Sequence, residues 1–326
     1  MAPPDSELLI EAPDLDRIER RRRFIAPEDS EEAGESETGA PGRAPRTPLA
    51  EAWWRLRRHP GFWFSAGLTT FIFVVAAWPS LFTDKDPLRC LLADSQAPMS
   101  PEFPLGADFQ GCDIFTGIVY GARASVSVGL LAAAAVTVVG TLMGVVAGFF
   151  GGWVDAVVSR VTDIFFAIPL ILGAIVALQV VSQRNVFTLT AILAVFGWTG
   201  TARIARAATI EVMTKDFVAA TRTLGASRLR LVVTHVLPNI LAPIVVVVTM
   251  AIGGLIAAEA TLSFLNIGLP FEVRSWGKAI ADGKTVLKVN PAILLWPAGA
   301  LTITVFNFLL LGDVVRGAFG AKGSVR

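Results

Sequence analysis

Six stretches of this chain are long and apolar enough to cross a lipid bilayer, near 62–82, 125–150, 161–181, 186–205, 240–264 and 292–315. A helix rises 1.5 Å per residue, so crossing about 30 Å of hydrocarbon takes about 20 residues. With 53% hydrophobic and 17% charged residues, and a mean hydropathy of +0.60, the chain is too apolar for an ordinary soluble domain. The expectation is an all-α membrane protein with six transmembrane helices. No cleavable signal peptide is expected, because the first apolar run follows Arg58 and is long enough to stay in the membrane. The net charge of +1 carries no information about partners.

The positions of the basic residues do carry information. Arg55, Arg57 and Arg58 precede the first span, Arg203 to Arg230 follow the fourth, and Arg316, Lys322 and Arg326 follow the sixth. All fall on one side, which the positive-inside rule makes cytoplasmic, together with both termini. One loop departs from the rule. The segment 265–291 carries Arg274, Lys278, Lys284 and Lys288, yet counting crossings puts it outside with the loop 83–123.

Residues 1–60 read as a cytoplasmic tail and anchor, and 61–326 as the membrane domain. Within 1–46 an acidic cluster at 28–37, a basic run at Arg20 to Arg23 and several Pro and Gly cannot bury enough apolar area to order the segment. The Arg run reads as a solvated charge block, with an anionic-lipid or nucleic-acid patch as the alternative. Trp53 and Trp54 beside Arg55, Arg57 and Arg58 read as an interfacial anchor.

Between the fourth and fifth apolar blocks lies a charged amphipathic island at 215–239, KDFVAATRTLGASRLRLVVTHVLPN. Arg222, Arg228, Arg230 and His235 alternate with Phe217, Val218, Leu224, Leu229, Leu231 and Val232 at helical spacing, so it cannot cross a membrane. Gly225 is placed to stop a first short helix, and Ser227 to cap a second that ends near Pro238. This island resembles the "EAA" coupling loop of ABC importer permeases, in which EAA, three residues, Gly, nine residues and I-x-L-P dock onto a cytoplasmic ATPase. Ala219, Ala220, Thr221, Gly225 and the run His235, Val236, Leu237, Pro238 keep that spacing. Ala219 replaces the motif's Glu and Thr221 its second Ala. The resemblance implies ATPase contact through Asp216, Phe217, Ala219, Ala220, Thr221, Arg222, Leu224, Gly225, Ala226, Ser227, Leu237 and Pro238. A helix pair that merely lies on lipid is the alternative.

The loop 83–123 contains the only cysteines, Cys90 and Cys112. On an oxidising face they are expected to bridge, stapling the loop, although two unpaired thiols are the alternative. The loop runs into PLGADFQGCDIFTGIVYGARASVSVGL, which is similar to the signature ahead of the second span in the C-type subunit of dipeptide and oligopeptide permeases. Gly106, Asp108, Gly111, Asp113, Tyr120, Gly121, Arg123 and Ser125 match it, while Cys112 and Gly117 replace its two Arg.

A second block, EATLSFLNIGLPFEVRSWGKAIADG, resembles the same family through Glu259, Leu262, Ser263, Phe264, Leu265, Gly268, Pro270, Ser275, Trp276 and Gly277, with Asn266 where relatives have Gly. An ionisable group inside a span is expensive, so Glu259 is expected to face either a polar partner on another helix or the translocation path, with Ser263 and Asn266 nearby. At the end of the chain Asn307, Gly312, Asp313 and Arg316 recur from the family's N-x-x-G-D-x-x-R-D ending.

Gly140, Gly144, Gly148 and Gly152 form one stripe along the second span, a pattern expected where two helix backbones approach, within the chain or across a subunit pair. Pro169 and Pro297 are expected to kink the third and sixth spans. The Gly283, Lys284, Thr285 tripeptide imitates the end of a phosphate loop, but Lys278 stands where that motif needs Gly. No ATP site, metal site, catalytic cluster or nucleic-acid contact is expected in this chain.

The resemblance therefore implies a type I ABC importer permease that carries peptides. Its partners would be a second permease subunit, two ATPases or one fused ATPase holding ATP and Mg, and an extracytoplasmic solute-binding protein. A permease for nickel or another small solute, or an ion-driven secondary transporter, is the alternative. The scarcity of His, Cys and Met speaks against a metal solute, and the absence of clear internal repeats against a secondary transporter.

Overall fold

A computed structural model of the chain describes residues 48–320. The tail assigned to 1–46, and Lys322 and Arg326 of the charge pattern, lie outside the described residues. Among those described, the secondary structure is helical, with one isolated bridge between Ala107 and Asp113 in the first long loop. The helices are α1 (Pro48–Leu56), α2 (Pro60–Ala77), α3 (Ile114–Phe150), α4 (Gly152–Ala167), α5 (Leu170–Val180), α6 (Val186–Met213), α7 (Asp216–Thr223), α8 (Arg228–Leu231), α9 (Leu237–Phe264), α10 (Trp276–Thr285) and α11 (Ala292–Gly320).

Local chemistry explains the boundaries. Asp113, Asn185, Ser227 and Ser275 each accept a backbone N–H from the first turn of α3, α6, α8 and α10, the capping that satisfies otherwise orphaned donors. Arg123 of α3 donates to the carbonyls of Ala76 and Ala77 and so closes the far end of α2. In α1, Trp54 lies beneath Arg58 at 3.6 Å and the Trp63 indole donates to the Arg57 carbonyl. Ala52 and Leu56 turn inward, and α1 packs beside α11.

Among the described residues, five helical stretches meet the length and hydropathy of a membrane crossing: α2, α3, α6, α11 and the continuous run Arg228–Phe264. The third expected span differs from its reading. Instead of one kinked helix over 161–181, it is two helices, α4 and α5, set at 85° across a break at Ile168 and Pro169. Proline removes a ladder donor and pushes the preceding residue out of the helical region, and Ile168 sits at φ −87°, ψ 117°. Counted as one bent crossing, the pair restores six. Pro297, by contrast, lies inside an α11 that continues through it.

A second correction concerns the helix expected to end near Pro238. It runs on into α9 through a π-turn at Val232–Val236, where the Leu237 N–H reaches back five residues to the Val232 carbonyl. The widened turn accommodates Pro238, whose ring would collide with the carbonyl four residues earlier in a regular helix.

The interior is built on α3. It packs along α6, and α9 lies against both. Gly140, Gly144 and Gly148 meet α6: a Cβ on Gly144 would stand 2.4 Å from the Ala202 carbonyl oxygen and 2.6 Å from the Ala205 Cβ. The close approach is thus within the chain. Gly152 does not belong to this stripe, because α3 stops at Phe150. Gly151 and Gly152 turn the chain at φ 63° and 53°, with open space around both. Two apolar clusters follow this frame. One joins Val128, Leu178, Leu193 and Leu262, and the other joins Val145, Ala205, Val218, Leu231, Val236 and Ile240.

Candidate functional site

The 215–239 element is fixed from one side and bare on the other. Val218 of α7, Leu231 of α8 and Val236 of the π-turn are 1%, 2% and 0% exposed and lock into the second cluster against Val145, Ala205 and Val212. The remaining apolar side chains stand outside: Leu224 is 87% exposed, Leu229 73% and Phe217 43%. Gly225 follows α7 at φ +82° with nothing within 4 Å of its Cβ position. Asp216, Ala219, Ala220, Arg222 and Ser227 share the exposed surface, and Thr221 and Ala226 are half-buried at its edge. Leu237 and Pro238 begin α9 beside it. The result is a knob of small and apolar groups ringed by Arg222, Arg228 and Arg230. Lys215 and Thr214 alone separate it from α6.

At the opposite end of the helices the two long loops meet. Cys90 and Cys112 are bridged, Sγ to Sγ 2.01 Å. The Arg274 guanidinium of the loop 265–291 lies 3.2 and 3.1 Å from the two sulfurs and donates to the Pro87 carbonyl. Asp108 accepts N–H bonds from Gln110 and Cys112 and turns the chain between Gly106 and Gly111, both at positive φ. Burial pushes the Asp108 carboxyl above its ordinary value, against those bonds and Arg274. Burial also raises Asp282 and lowers Lys278 of α10, while the charge of each partly offsets the other's shift. The Lys278 ammonium reaches the Phe271 carbonyl at 2.9 Å and sits over that ring. The unusual basic loop after the fifth span is therefore a clamp on the first loop.

Glu259 is fully buried, and Ser263 is 3% exposed. The Ser263 hydroxyl donates to the carboxylate at 2.7 Å, and the hydroxyls of Ser125 and Ser275 sit against it. Ser125 also accepts the Trp276 N–H, while the Trp276 indole donates to Ile118. Gly277 abuts the Ala260 backbone. The Ser263 bond comes from Glu259's own helix, and the second carboxylate oxygen is buried without a hydrogen-bond partner among the described residues, beside α3 and the start of α10. Asn266 is exposed at φ +58°, a left-handed conformation that Asn tolerates better than most residues. Asn307 bonds Thr69 of α2, and Gly312 lies against Met250.

Two ion pairs escaped the sequence reading, which counted their arginines only as topology markers. Arg206 of α6 holds Asp155 of α4 through two bonds, at 2.5 and 2.6 Å. Arg203 meets Asp163 at 2.8 Å and covers the Phe166 ring at 3.8 Å. The sequence signal was the pattern in α4, where Asp155, Ser159, Thr162 and Asp163 share one face and Trp153, Val157, Val161 and Ile164 the other.

Comparison with known proteins gives a consistent picture. The family described as "Binding-protein-dependent transport system inner membrane component" matches residues 140–322, and "N-terminal TM domain of oligopeptide transport permease C" matches 47–98. The oligopeptide transport system permease protein OppC of Bacillus subtilis is 34% identical over 78% of this chain and 83% of its own length. The dipeptide transport system permease protein DppC of the same organism is 32% identical over 83% of this chain and 85% of its own. A glutathione transport system permease protein, GsiD of Pectobacterium atrosepticum, is 31% identical over 85% and 92%. Among solved structures, a chain of the MetNI methionine ABC transporter in an inward-facing form superposes with a TM-score of 0.51 at 21% identity, over 62% of this chain and 95% of that one.

Proposed function

Because this chain belongs to the family of binding-protein-dependent transport system inner membrane components, with the type I ABC importer permease fold, we propose that it forms half of a peptide-translocating path and is moved by ATPases gripping the 215–239 element. It is a multi-pass inner-membrane protein of a prokaryote and the permease component of an ABC importer. A second permease subunit supplies the other half of the path. Two cytoplasmic ATPases, or one fused ATPase, carry ATP and Mg, and an extracytoplasmic binding protein delivers cargo to the clamped outer loops. The termini and the 215–239 element lie in the cytoplasm in this arrangement.

Short peptides are the cargo that the printed names of the relatives have in common: oligopeptide, dipeptide and glutathione carriers. The observation that carries the coupling role is the knob itself. Leu224 and Leu229 stand almost fully exposed on an element whose opposite face is keyed into α3, α6 and α9. Exposed apolar groups rimmed by charge suit a protein partner. Nucleotide binding that favours one ATPase arrangement over another would move this element as a rigid body and, through α6, change the side to which the path opens.

The test is co-purification from membranes. Leu224→Asp with Leu229→Asp leaves the buried face untouched, and should abolish recovery of the ATPase subunits and peptide uptake while the second permease subunit is still recovered. Undiminished ATPase recovery would remove the coupling role.

A further inference from the structure

The charges on the 215–239 element follow a pattern that the fold itself does not call for. In α7 they obey the helix dipole: Asp216 stands in the first turn and Arg222 in the last, each at the end that favours its sign. In α8 they run against it. Arg228 and Arg230 occupy the first turn of a helical run that continues to Phe264, where the dipole that stabilises an acid by about 0.3–1 kcal/mol repels a cation. Among the described residues no ion pair includes Arg222, Arg228 or Arg230, whereas Lys215 pairs with Glu211. All three arginines are exposed, and Arg228 and Arg230 flank the exposed Leu229. Lipid headgroups are a poor account of them. The 28 residues of α9 are about 42 Å long, against about 30 Å of hydrocarbon and about 40–45 Å with both headgroup layers. With Phe264 at the outer hydrocarbon boundary, the start of α9 stands about 10 Å past the inner one, and the five residues of the π-turn separate α8 from it.

We propose that the ATPase face receiving this element is an apolar slot with an acidic rim, Leu224 and Leu229 entering the slot while Arg228 and Arg230 pair with Asp or Glu side chains on its edge. The proposal rests on the coupling role given to the element and names the chemistry of its partner. A guanidinium takes a carboxylate through two parallel bonds, which fixes orientation as well as sign. Rim pairs of this kind govern the rate and salt dependence of association more than its final strength, which the apolar centre supplies. The element is built to present such a surface ready-made. Val218, Leu231 and Val236 lock α7, α8 and the π-turn to the membrane domain, so docking has little backbone left to order. The same charges select among partners. An ATPase with a basic edge would meet Arg228 and Arg230 as like charges and be turned away, so the two residues match this permease to its own motor.

The experiment passes the ATPase subunits of the same importer over the full-length permease pair held in nanodiscs of neutral phosphatidylcholine, at about 50 and about 500 mM NaCl. Association with the unmodified pair should be about tenfold or more faster at the lower salt. Arg228→Glu with Arg230→Glu should slow association at the lower salt by about tenfold or more and flatten or invert its salt dependence, whereas Arg228→Lys with Arg230→Lys should stay within about threefold. The glutamate variant should also keep a thermal midpoint at or above that of the unmodified chain, because it removes two cations from a helix N-terminus. A lower midpoint would make the arginines structural and overturn the proposal. Association unmoved by salt or by charge reversal would overturn it as well. So would a salt dependence that emerges only when anionic phosphatidylglycerol is added to the nanodisc, which would assign the arginines to lipid. Leu224→Asp with Leu229→Asp tells the two levels apart: loss of binding there without any effect of charge reversal keeps the coupling role and sinks the acidic rim, while binding that survives the leucine variant sinks the coupling role and the rim with it.

Discussion

Replacing Gly144 with alanine adds one methyl group where α3 crosses α6. That group would stand 2.4 Å from the Ala202 carbonyl oxygen, 2.6 Å from the Ala205 Cβ and 2.8 Å from the Arg206 nitrogen, about 1 Å inside ordinary contact with backbone that has no rotamer to change. The helices must separate, and overpacking of this kind costs about 1–3 kcal/mol. Alanine returns at most about 1 kcal/mol of helix propensity. The same substitution at Gly200, on the open side of α6 with nothing within 4 Å, gains the propensity and meets no clash. The two variants should therefore move in opposite directions. With about 2–4 °C per kcal/mol in a domain of 150–250 residues, Gly144→Ala should lower the midpoint by several degrees and Gly200→Ala should raise it slightly or leave it unchanged. Thermal loss of the monodisperse peak in size-exclusion chromatography, in one detergent, reads both. A Gly144→Ala midpoint equal to or above that of Gly200→Ala would refute the close-approach argument.

Reduction of the Cys90–Cys112 bridge, or Cys112→Ser, opens a loop with a sequence separation of 22 and should cost about 3 kcal/mol on the chain-entropy account; mass-tag labelling before and after reductant, followed through the thermal midpoint, checks it. Asp282 is raised by burial above its ordinary 3.8, so its folded form holds a proton that the unfolded chain gives up. The stability it contributes is complete below about that value and is lost as pH rises through the folded value; Asp282→Asn should flatten this fall in midpoint on the acid side, and an unchanged slope would contradict it. Glu259→Ala leaves Ser125, Ser263 and Ser275 facing a void and should destabilise by about 1–3 kcal/mol or more, whereas Glu259→Gln, which keeps the shape and an acceptor, should cost less; the same chromatographic midpoint ranks them.

Helical periodicity marks the 215–239 element as amphipathic but does not separate its faces: Phe217, Leu224 and Leu229 group with Val218 and Leu231, and only packing against Val145 and Ala205 tells the buried set from the exposed one. Span length did locate the crossings. Where the reading failed, a local backbone event intervened. Pro169 was expected to bend a helix and instead ended it, and Pro238 was expected to end one but was absorbed by a π-turn. Gly152 was counted into a stripe whose helix had already stopped. The Asp163–Arg203 and Asp155–Arg206 pairs join residues 40 and 51 positions apart, a separation at which neither spacing nor composition links them. Arg274 is the same case on a larger scale, since its partners Cys90 and Pro87 are 184 and 187 residues away.

The 37 residues of α3 contain no proline and form one uninterrupted rod, about 55 Å long, nearly twice the thickness of the lipid it traverses. Its leading end carries Gly121 and Ser125 against Trp276, and its trailing end carries Val145 against the knob's inner face. A stiff beam of that reach has no slack in which to lose a displacement. A rod of that kind tilts as one piece, so a sideways push at one mouth of the protein would displace the other mouth in the opposite direction.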